Sequence, residues 1–148
     1  MKALVIGCGS IGYRHVSHLL RLGVEDIEVS DTNEETCERV RKEYSIWASP
    51  DTDEALKRAP TVVLICTPAA SHLPLALRAL EAGAHLFIEK PLSTRLEGLE
   101  HLLEVVDSKE QIVQIGYNLR FHPAVRALKD SLIAGKLGDV VAANFEFG

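Results

Sequence analysis

The residues best suited to bind a ligand stand near the start of the chain, where an apolar run ends in the spacing Gly-x-Gly-x-x-Gly. Gly7 permits a tight turn, Gly9 lets the backbone come close to a pyrophosphate, and Gly12 lets the following helix pack against the preceding strand. The free N–H groups at the start of that helix, at Ser10 and Ile11, would face the phosphates together with the positive end of the helix dipole. Glycine-rich turns also occur without any ligand, so the spacing indicates a dinucleotide site only in the right surroundings.

Those surroundings include an acidic residue at a suitable distance. Asp31 follows Gly12 by 19 positions, at the end of a second apolar run, and the expected separation is about 20 residues. Thr32 and Glu35 have the spacing of a capping box, which would cap the next helix and leave the Asp31 carboxylate free to accept hydrogen bonds from the adenosine ribose. In the alternative interpretation, Asp31 is itself the N-cap. A carboxylate here would repel a 2′-phosphate and Arg39 is predicted to face water, so the sequence favours NAD over NADP.

A second group of polar residues follows the later apolar runs. Thr67 and Pro68 end one run, Glu89 and Lys90 end the next, and Asn118 follows the last. Oxidation of a secondary alcohol requires a hydride to leave carbon while a proton leaves oxygen, and a cation beside that oxygen favours the alkoxide-like transition state. Lys90 could supply that cation or shuttle the proton, with Glu89 orienting it. The alternatives are a solvated surface lysine and a surface acid.

Short apolar runs alternate with helical patterns along most of the chain, which predicts an α/β fold with a doubly wound parallel sheet. After the first strand, the predicted strands are 26–30, 45–48, 61–66, 84–88 and 111–115, with a short helix near 54–58 and a capping box, Thr94 and Glu97, ahead of the helix that ends near Val106. The polar residues described above all follow the end of a strand. Ligands in such sheets bind beyond the carboxyl ends of the strands, so we predict one site at that edge.

Several of these motifs together resemble a known family. Glu89-Lys90-Pro91, the glycine turn, Cys66-Thr67-Pro68 and the segment from Tyr117 to Pro123 are similar to the glucose-fructose oxidoreductase, inositol dehydrogenase and rhizopine-catabolism family, Gfo/Idh/MocA. The resemblance covers essentially the whole chain, and Glu-Lys-Pro is its most specific element. It implies an NAD(P)-dependent oxidoreductase acting on a secondary alcohol of a sugar, inositol or nucleotide sugar, with Lys90 in the active site beside the nicotinamide. It also implies a cis bond before Pro91.

The resemblance further implies a second, larger domain with an open antiparallel sheet that covers the substrate. A helix predicted from Arg120 to Gly135 and an alternating segment from Asp139 to Phe147 resemble the start of that domain. We therefore divide the sequence into a Rossmann domain, 1–120, and residues 121–148, which hold a connecting helix and only the first strand of an α+β substrate domain. The family's aspartate and histidine, four residues apart in that second domain, match no position here. For this reason we expect the chain alone to be inactive.

Two functions from different classes fit the sequence. The first is the nucleotide-binding part of a sugar-type dehydrogenase, and the second is a non-catalytic NAD-binding sensor or partner subunit. Lys90 distinguishes them, because a sensor has no need of a lysine at the reacting end of the cofactor. The alternating C-terminal segment would leave an unpaired apolar edge, which predicts a homo-oligomer formed through that strand.

Composition argues against several other classes of protein. The 148 residues are 47% hydrophobic and 25% charged, with a net charge of −5, so neither nucleic acid nor an anionic membrane is a predicted partner. A strand begins at Lys2 and no apolar run approaches the roughly 18 residues of a membrane span, which predicts a cytoplasmic protein. Three widely spaced cysteines predict reduced packing residues, with neither a disulfide framework nor a zinc site.

The histidines carry less information. His15, His18 and His101 are predicted to be ordinary helix residues. His72 begins the helix after Pro68, where it would either line the nicotinamide side of the site or lie on the helix surface. The spacing of histidines and carboxylates matches no metal site, so no metal is predicted.

Overall fold

The computed structural model describes residues 1–144 and 146, which fall into two compact units, Met1–Gly116 and Tyr117–Gly148. The strands of the first unit are β1 (Lys2–Ile6), β2 (Asp26–Ser30), β3 (Trp47–Ser49), β4 (Val62–Ile65), β5 (His85–Ile88) and β6 (Val113–Ile115). Its helices are α1 (Ser10–Arg21), α2 (Glu34–Tyr44), α3 (Thr52–Lys57), α4 (His72–Glu81) and α5 (Leu99–Ser108). Within the described residues, the strands form one parallel sheet in the order β3-β2-β1-β4-β5-β6. The predicted doubly wound sheet is confirmed.

The central strands are buried on both faces. Leu4 and Ile6 point to one face, in a buried cluster that includes Leu80 of α4, whereas Val5 points to the other face and lies in a cluster with Val16 of α1. Strands covered by helices on both sides read as continuous apolar runs, which is why the sequence predicts a parallel sheet. The strand order reverses between β1 and β4, so a crevice opens at the carboxyl ends of these two strands.

Both predicted capping boxes are wrong. α2 is capped by Asn33, whose side chain accepts a hydrogen bond from the Thr36 N–H at 3.2 Å, so neither Thr32 nor Asp31 is the N-cap. α5 begins only after Gly98, whose φ is 81°. A residue with that φ cannot continue a right-handed helix, so the helix predicted to follow Thr94 starts later than its capping pattern suggests.

Two short elements are displaced from their predicted positions. The third strand starts at Trp47, because Ser45 adopts the left-handed conformation at the end of α2, with φ of 56°. The helix predicted near 54–58 starts at Thr52, because Asp51 caps it and accepts hydrogen bonds from two N–H groups of its first turn, at 2.8 and 3.0 Å.

The second unit contains α6 (Pro123–Ile133), preceded by one turn of 3-10 helix, Asn118–Phe121. The His122 side chain caps α6 by accepting from the Ala124 N–H at 3.2 Å. The predicted strand does not form over residues 139–144, because a strand needs a hydrogen-bonded neighbour and the described residues of this unit provide none. The rest of the predicted strand, Phe145 and Phe147, lies outside the described residues, as does Gly148.

Candidate cofactor site

The turn after β1 has the geometry that a close-lying pyrophosphate requires. Gly7 has φ of 84°, and a Cβ at this position would lie 2.7 Å from the Thr67 Cγ2. A Cβ on Gly12 would lie 1.9 Å from the Gly7 carbonyl oxygen, so only glycine lets α1 start this close to β1. A Cβ on Gly9, in contrast, would meet no atom within 4 Å. The space beside Gly9 is therefore open to a ligand that approaches the backbone.

The first turn of α1 offers unpaired hydrogen-bond donors. No side chain caps this helix, and its first turn contains no acidic residue. Tyr13 donates to the Gly9 carbonyl at 3.0 Å, which leaves the N–H groups of Ser10, Ile11 and Gly12 without an acceptor inside the helix. Together with the positive end of the helix dipole, these groups form a site suited to an anion.

Asp31 lies beside this turn, but its carboxylate is already engaged. Oδ2 accepts a hydrogen bond from the Cys8 N–H at 2.6 Å, and Oδ1 accepts one from the Asn33 N–H at 2.9 Å. The expectation of an uncommitted carboxylate is therefore wrong, because Asp31 connects the turn after β1 to the start of α2. Each carboxylate oxygen has a second lone pair, so Asp31 can still accept from a ribose hydroxyl.

A cavity of about 720 Å³ opens at the carboxyl ends of β1, β2 and β4. Its lining includes five of the predicted site residues, Gly7, Gly9, Asp31, Thr67 and Pro68. Nine further lining residues are not among the predicted site residues: Ile6, Ser30, Thr32, Thr52, Cys66, Ser71, Pro74, Leu75 and Arg78. They combine two apolar side chains and the Arg78 guanidinium from α4 with hydroxyl groups such as those of Ser30 and Thr52. Ser30 and Thr32 flank Asp31 in the sequence. The lining residues of α3 and α4 come from elements that only the fold brings to this edge, so sequence spacing could not identify them.

Two cysteines lie near the glycine turn, Cys8 within it and Cys66 after β4, and neither is activated for reaction. Burial raises the pKa of Cys8 to about 11 and that of Cys66 to about 12, with smaller contributions from Asp31 and Glu89 respectively. The thiolate is the reactive form, so these thiols are inert at neutral pH. Their predicted role as packing residues is supported.

Lys90 follows β5 and is exposed. The neighbouring Glu89 makes three hydrogen-bonding contacts. The Glu89 N–H donates to the Ile65 carbonyl at 2.9 Å, Oε1 lies 2.8 Å from Nε2 of His15, and Oε2 accepts from the Lys90 N–H at 3.2 Å. The Lys90–Pro91 bond is cis, as the resemblance implied. His15 was predicted to be an ordinary helix residue, so its contact with Glu89 is a finding of the structure.

His72 is 1% exposed, which makes the surface alternative wrong. Its Nδ1 lies 2.8 Å from the Pro91 carbonyl oxygen, and its Nε2 lies 2.7 Å from the Thr67 carbonyl oxygen. Both ring nitrogens are therefore engaged by backbone groups of two turns that follow neighbouring strands.

Arg39 is exposed, as predicted, but its guanidinium reaches back to the glycine turn. Nη2 donates to the Cys8 carbonyl at 3.3 Å, and the guanidinium carbon lies 4.7 Å from the centre of the Tyr13 ring. No spacing rule indicates this contact. Asn118, another predicted site residue, begins the 3-10 turn of the second unit, and its role stays a prediction.

Metal-binding clusters and membrane-spanning helices are both absent from the described residues. They contain no cluster of three or more histidines, cysteines or carboxylates that could hold a metal ion. None of the helices described for this chain is long and apolar enough to cross a membrane.

The chain is similar in sequence and fold to several known proteins. Inositol 2-dehydrogenase of Pseudomonas savastanoi is 35% identical to the chain over 145 residues, which are 94% of this chain and 43% of that protein. UDP-N-acetylglucosamine 3-dehydrogenase of Acidithiobacillus ferrooxidans is 30% identical, over 88% of this chain and 41% of its own length. The crystal structure of apo scyllo-inositol dehydrogenase from Lactobacillus casei has a TM-score of 0.84 at 26% identity, over 94% of this chain and 43% of that one. The chain thus spans less than half the length of these relatives.

The sequence profile described as "Oxidoreductase family, NAD-binding Rossmann fold" (GFO_IDH_MocA) matches residues 1–117. That range contains the glycine turn, Asp31 and Glu89-Lys90-Pro91, and it coincides closely with the first unit of the structure. The chain therefore belongs to the Gfo/Idh/MocA oxidoreductase family, and its first unit is the family's NAD-binding Rossmann domain.

Proposed function

We propose that this chain is the cofactor-binding part of an NAD-dependent dehydrogenase that oxidises a secondary alcohol of a sugar, inositol or nucleotide sugar. The observation that carries the proposal is that three features lie at the same edge of the sheet. They are an open turn at Gly9, a cavity lined by Asp31, and Lys90 at the end of β5. The names of the relatives supply the substrate class. Because NAD is an intracellular cofactor, a cytoplasmic location is part of the proposal.

In this proposal, the residues of the site divide into two groups. The N–H groups of Ser10, Ile11 and Gly12 bind the pyrophosphate, and Asp31 accepts from the adenosine ribose. Thr67, Pro68, His72 and Glu89 form or support the nicotinamide end.

Lys90 lies at the reacting end of the site. NAD held by the glycine turn and Asp31 would supply the acceptor for the hydride that leaves the alcohol carbon. As an ammonium, the Lys90 side chain stabilises negative charge that develops on the substrate oxygen; as a neutral amine, it instead accepts the proton which that oxygen loses. Its exposed position leaves it accessible to a substrate.

Titration of the chain with NADH, followed by the fluorescence of the dihydronicotinamide, tests the binding half of the proposal. Saturable binding with one site per chain is expected, and competition by NAD should report the same site. Absence of binding at millimolar NADH would contradict the proposed function.

NAD is expected to bind more tightly than NADP, because the Asp31 carboxylate accepts from ribose hydroxyls and repels a 2′-phosphate. Asp31→Ala should weaken NAD binding by about 1–3 kcal/mol, the usual value of a hydrogen bond to a charged group. Binding of NADP should change less. Titration calorimetry with both cofactors measures these affinities, and Glu35→Ala, which removes an exposed carboxylate of α2, is the control. Equal or tighter binding of NADP to the unmodified chain would contradict the assignment.

We further propose that the chain forms a homo-oligomer through its C-terminal segment. Val140 and Val141 are 64% and 96% exposed in the structure, and apolar residues of an unpaired segment favour association with another strand. Sedimentation velocity at several protein concentrations should show a dimer or larger species, and Val141→Asp should shift it towards monomer. A monomer at every concentration would exclude this mode of assembly.

A further inference from the structure

We propose that His15 and His72 are positioning residues for Lys90, each restraining the backbone on one side of it. The inference rests on the proposed function, in which Lys90 acts on the substrate. It assigns the two histidines, from α1 and α4, a role that acts through Glu89 and Pro91 rather than by contact with the substrate.

His15 restrains the residue before Lys90. Its Nε2 lies 2.8 Å from Glu89 Oε1, and only 20% of the His15 side chain and 16% of the Glu89 side chain are exposed. The His15 ring also lies edge-on to the Phe87 ring, with 5.2 Å between the ring centres. The other carboxylate oxygen, Oε2, accepts from the Lys90 N–H at 3.2 Å. A chain of two hydrogen bonds therefore connects α1 to the Lys90 backbone.

His72 restrains the residue after Lys90. Its ring is buried, with Nδ1 2.8 Å from the Pro91 carbonyl oxygen and Nε2 2.7 Å from the Thr67 carbonyl oxygen, and the neutral ring donates to one of the two. Thr67 follows β4, and the β4 residue Ile65 pairs with Ile88 of β5. The ring therefore connects the turns that follow two adjacent strands, and it does so at the residue next to the lysine.

The Lys90 side chain is exposed, and among the described residues its Nζ takes part in no hydrogen bond or ion pair. Its direction therefore depends on its backbone, which the two histidines connect to α1 and α4. The N-terminus of α1 is the proposed pyrophosphate site, and Pro74 and Leu75 of α4 line the same cavity. Cofactor and lysine are thus held by the same two helices, as alignment of reacting groups demands.

Trace acetylation of the chain by acetic anhydride, with and without saturating NADH, measures this positioning. Mass spectrometry gives the acetylation rate of Lys90 relative to Lys42, an exposed lysine of α2. NADH should slow acetylation of Lys90 about 10-fold or more in the unmodified chain, because a correctly placed amine lies against the bound cofactor. The rate at Lys42 should stay unchanged.

The variants separate positioning from a structural role. His15→Phe keeps a ring against Phe87 but removes the hydrogen bond to Glu89. His15→Gln supplies an amide donor in place of the imidazole. His18→Phe is the control, because it makes the same change at an exposed position of α1. Protection of Lys90 should fall below about threefold in His15→Phe and in His72→Leu, which has no hydrogen-bond donor, although the NADH dissociation constant stays within about threefold. Protection of Lys90 by NADH should persist in His18→Phe and should be restored in His15→Gln. Circular dichroism confirms that each variant is folded.

The outcomes also distinguish this inference from the proposed function. Full protection in both His15→Phe and His72→Leu would overturn the inference and leave the proposed function standing. If the unmodified chain binds NADH without protecting Lys90, the placement of Lys90 and this inference are both wrong. If it does not bind NADH at all, the proposed function fails.

Discussion

Gly9→Ala is expected to weaken NADH binding about 10- to 100-fold, because a methyl group that intrudes on a close contact costs about 1–3 kcal/mol. The same change should alter the free energy of unfolding by less than about 1 kcal/mol. A Cβ on Gly9 meets no protein atom within 4 Å, and its φ of −68° suits any residue. The methyl group would therefore occupy the space left for the pyrophosphate without disturbing the fold.

Gly12→Ala is the matched control, since it adds the same methyl group three positions later. Its Cβ would lie 1.9 Å from the Gly7 carbonyl oxygen, so this variant should lose both stability and affinity. Urea denaturation and NADH titration on both variants measure the two quantities. NADH affinity in Gly9→Ala equal to that of the unmodified chain would show that the cofactor does not approach this turn.

Lys90→Ala is expected to lower turnover by roughly 10²–10⁴-fold, the usual contribution of one acid–base group. NADH affinity should change by less than about threefold, because the phosphates and ribose bind at the glycine turn and Asp31, and Lys90 adds no bond to them. The chain of 148 residues should show negligible turnover by itself. The effect is therefore measured in a chimera in which residues 1–148 replace the matching part of the inositol 2-dehydrogenase described above.

The chimera carrying Lys90→Arg, which keeps the cation, is the control for loss of charge. Formation of NADH with inositol, simple sugars and nucleotide sugars gives the turnover, and fluorescence titration gives the affinity. If the Lys90→Ala chimera were as active as its parent, the role given to Lys90 would be wrong and a non-catalytic NAD sensor would become the better hypothesis.

The overall fold was accessible from the sequence because its signals are local. A buried parallel strand needs a continuous apolar run, and the glycine turn needs residues without a Cβ at Gly7 and Gly12. The carboxyl ends of parallel strands lie at one edge of a sheet, so residues that follow the runs were expected to lie together. Cavity-lining residues Asp31, Thr67 and Pro68 are all of this kind.

Contacts between distant segments were decided only by the tertiary structure. The capping pattern of Thr32 and Glu35 suggested a free Asp31 carboxylate, but the approach of the β1 turn brought the Cys8 N–H to within 2.6 Å of it. His15 and Glu89 are 74 positions apart and His72 and Pro91 are 19 apart, so no spacing rule connects them. A helical periodicity indicates which face of a helix is buried, whereas the partner of a polar side chain on that face depends on how the helix packs on the sheet. The residue types at the site were therefore determined by the sequence, and the hydrogen bonds that hold them were determined by packing.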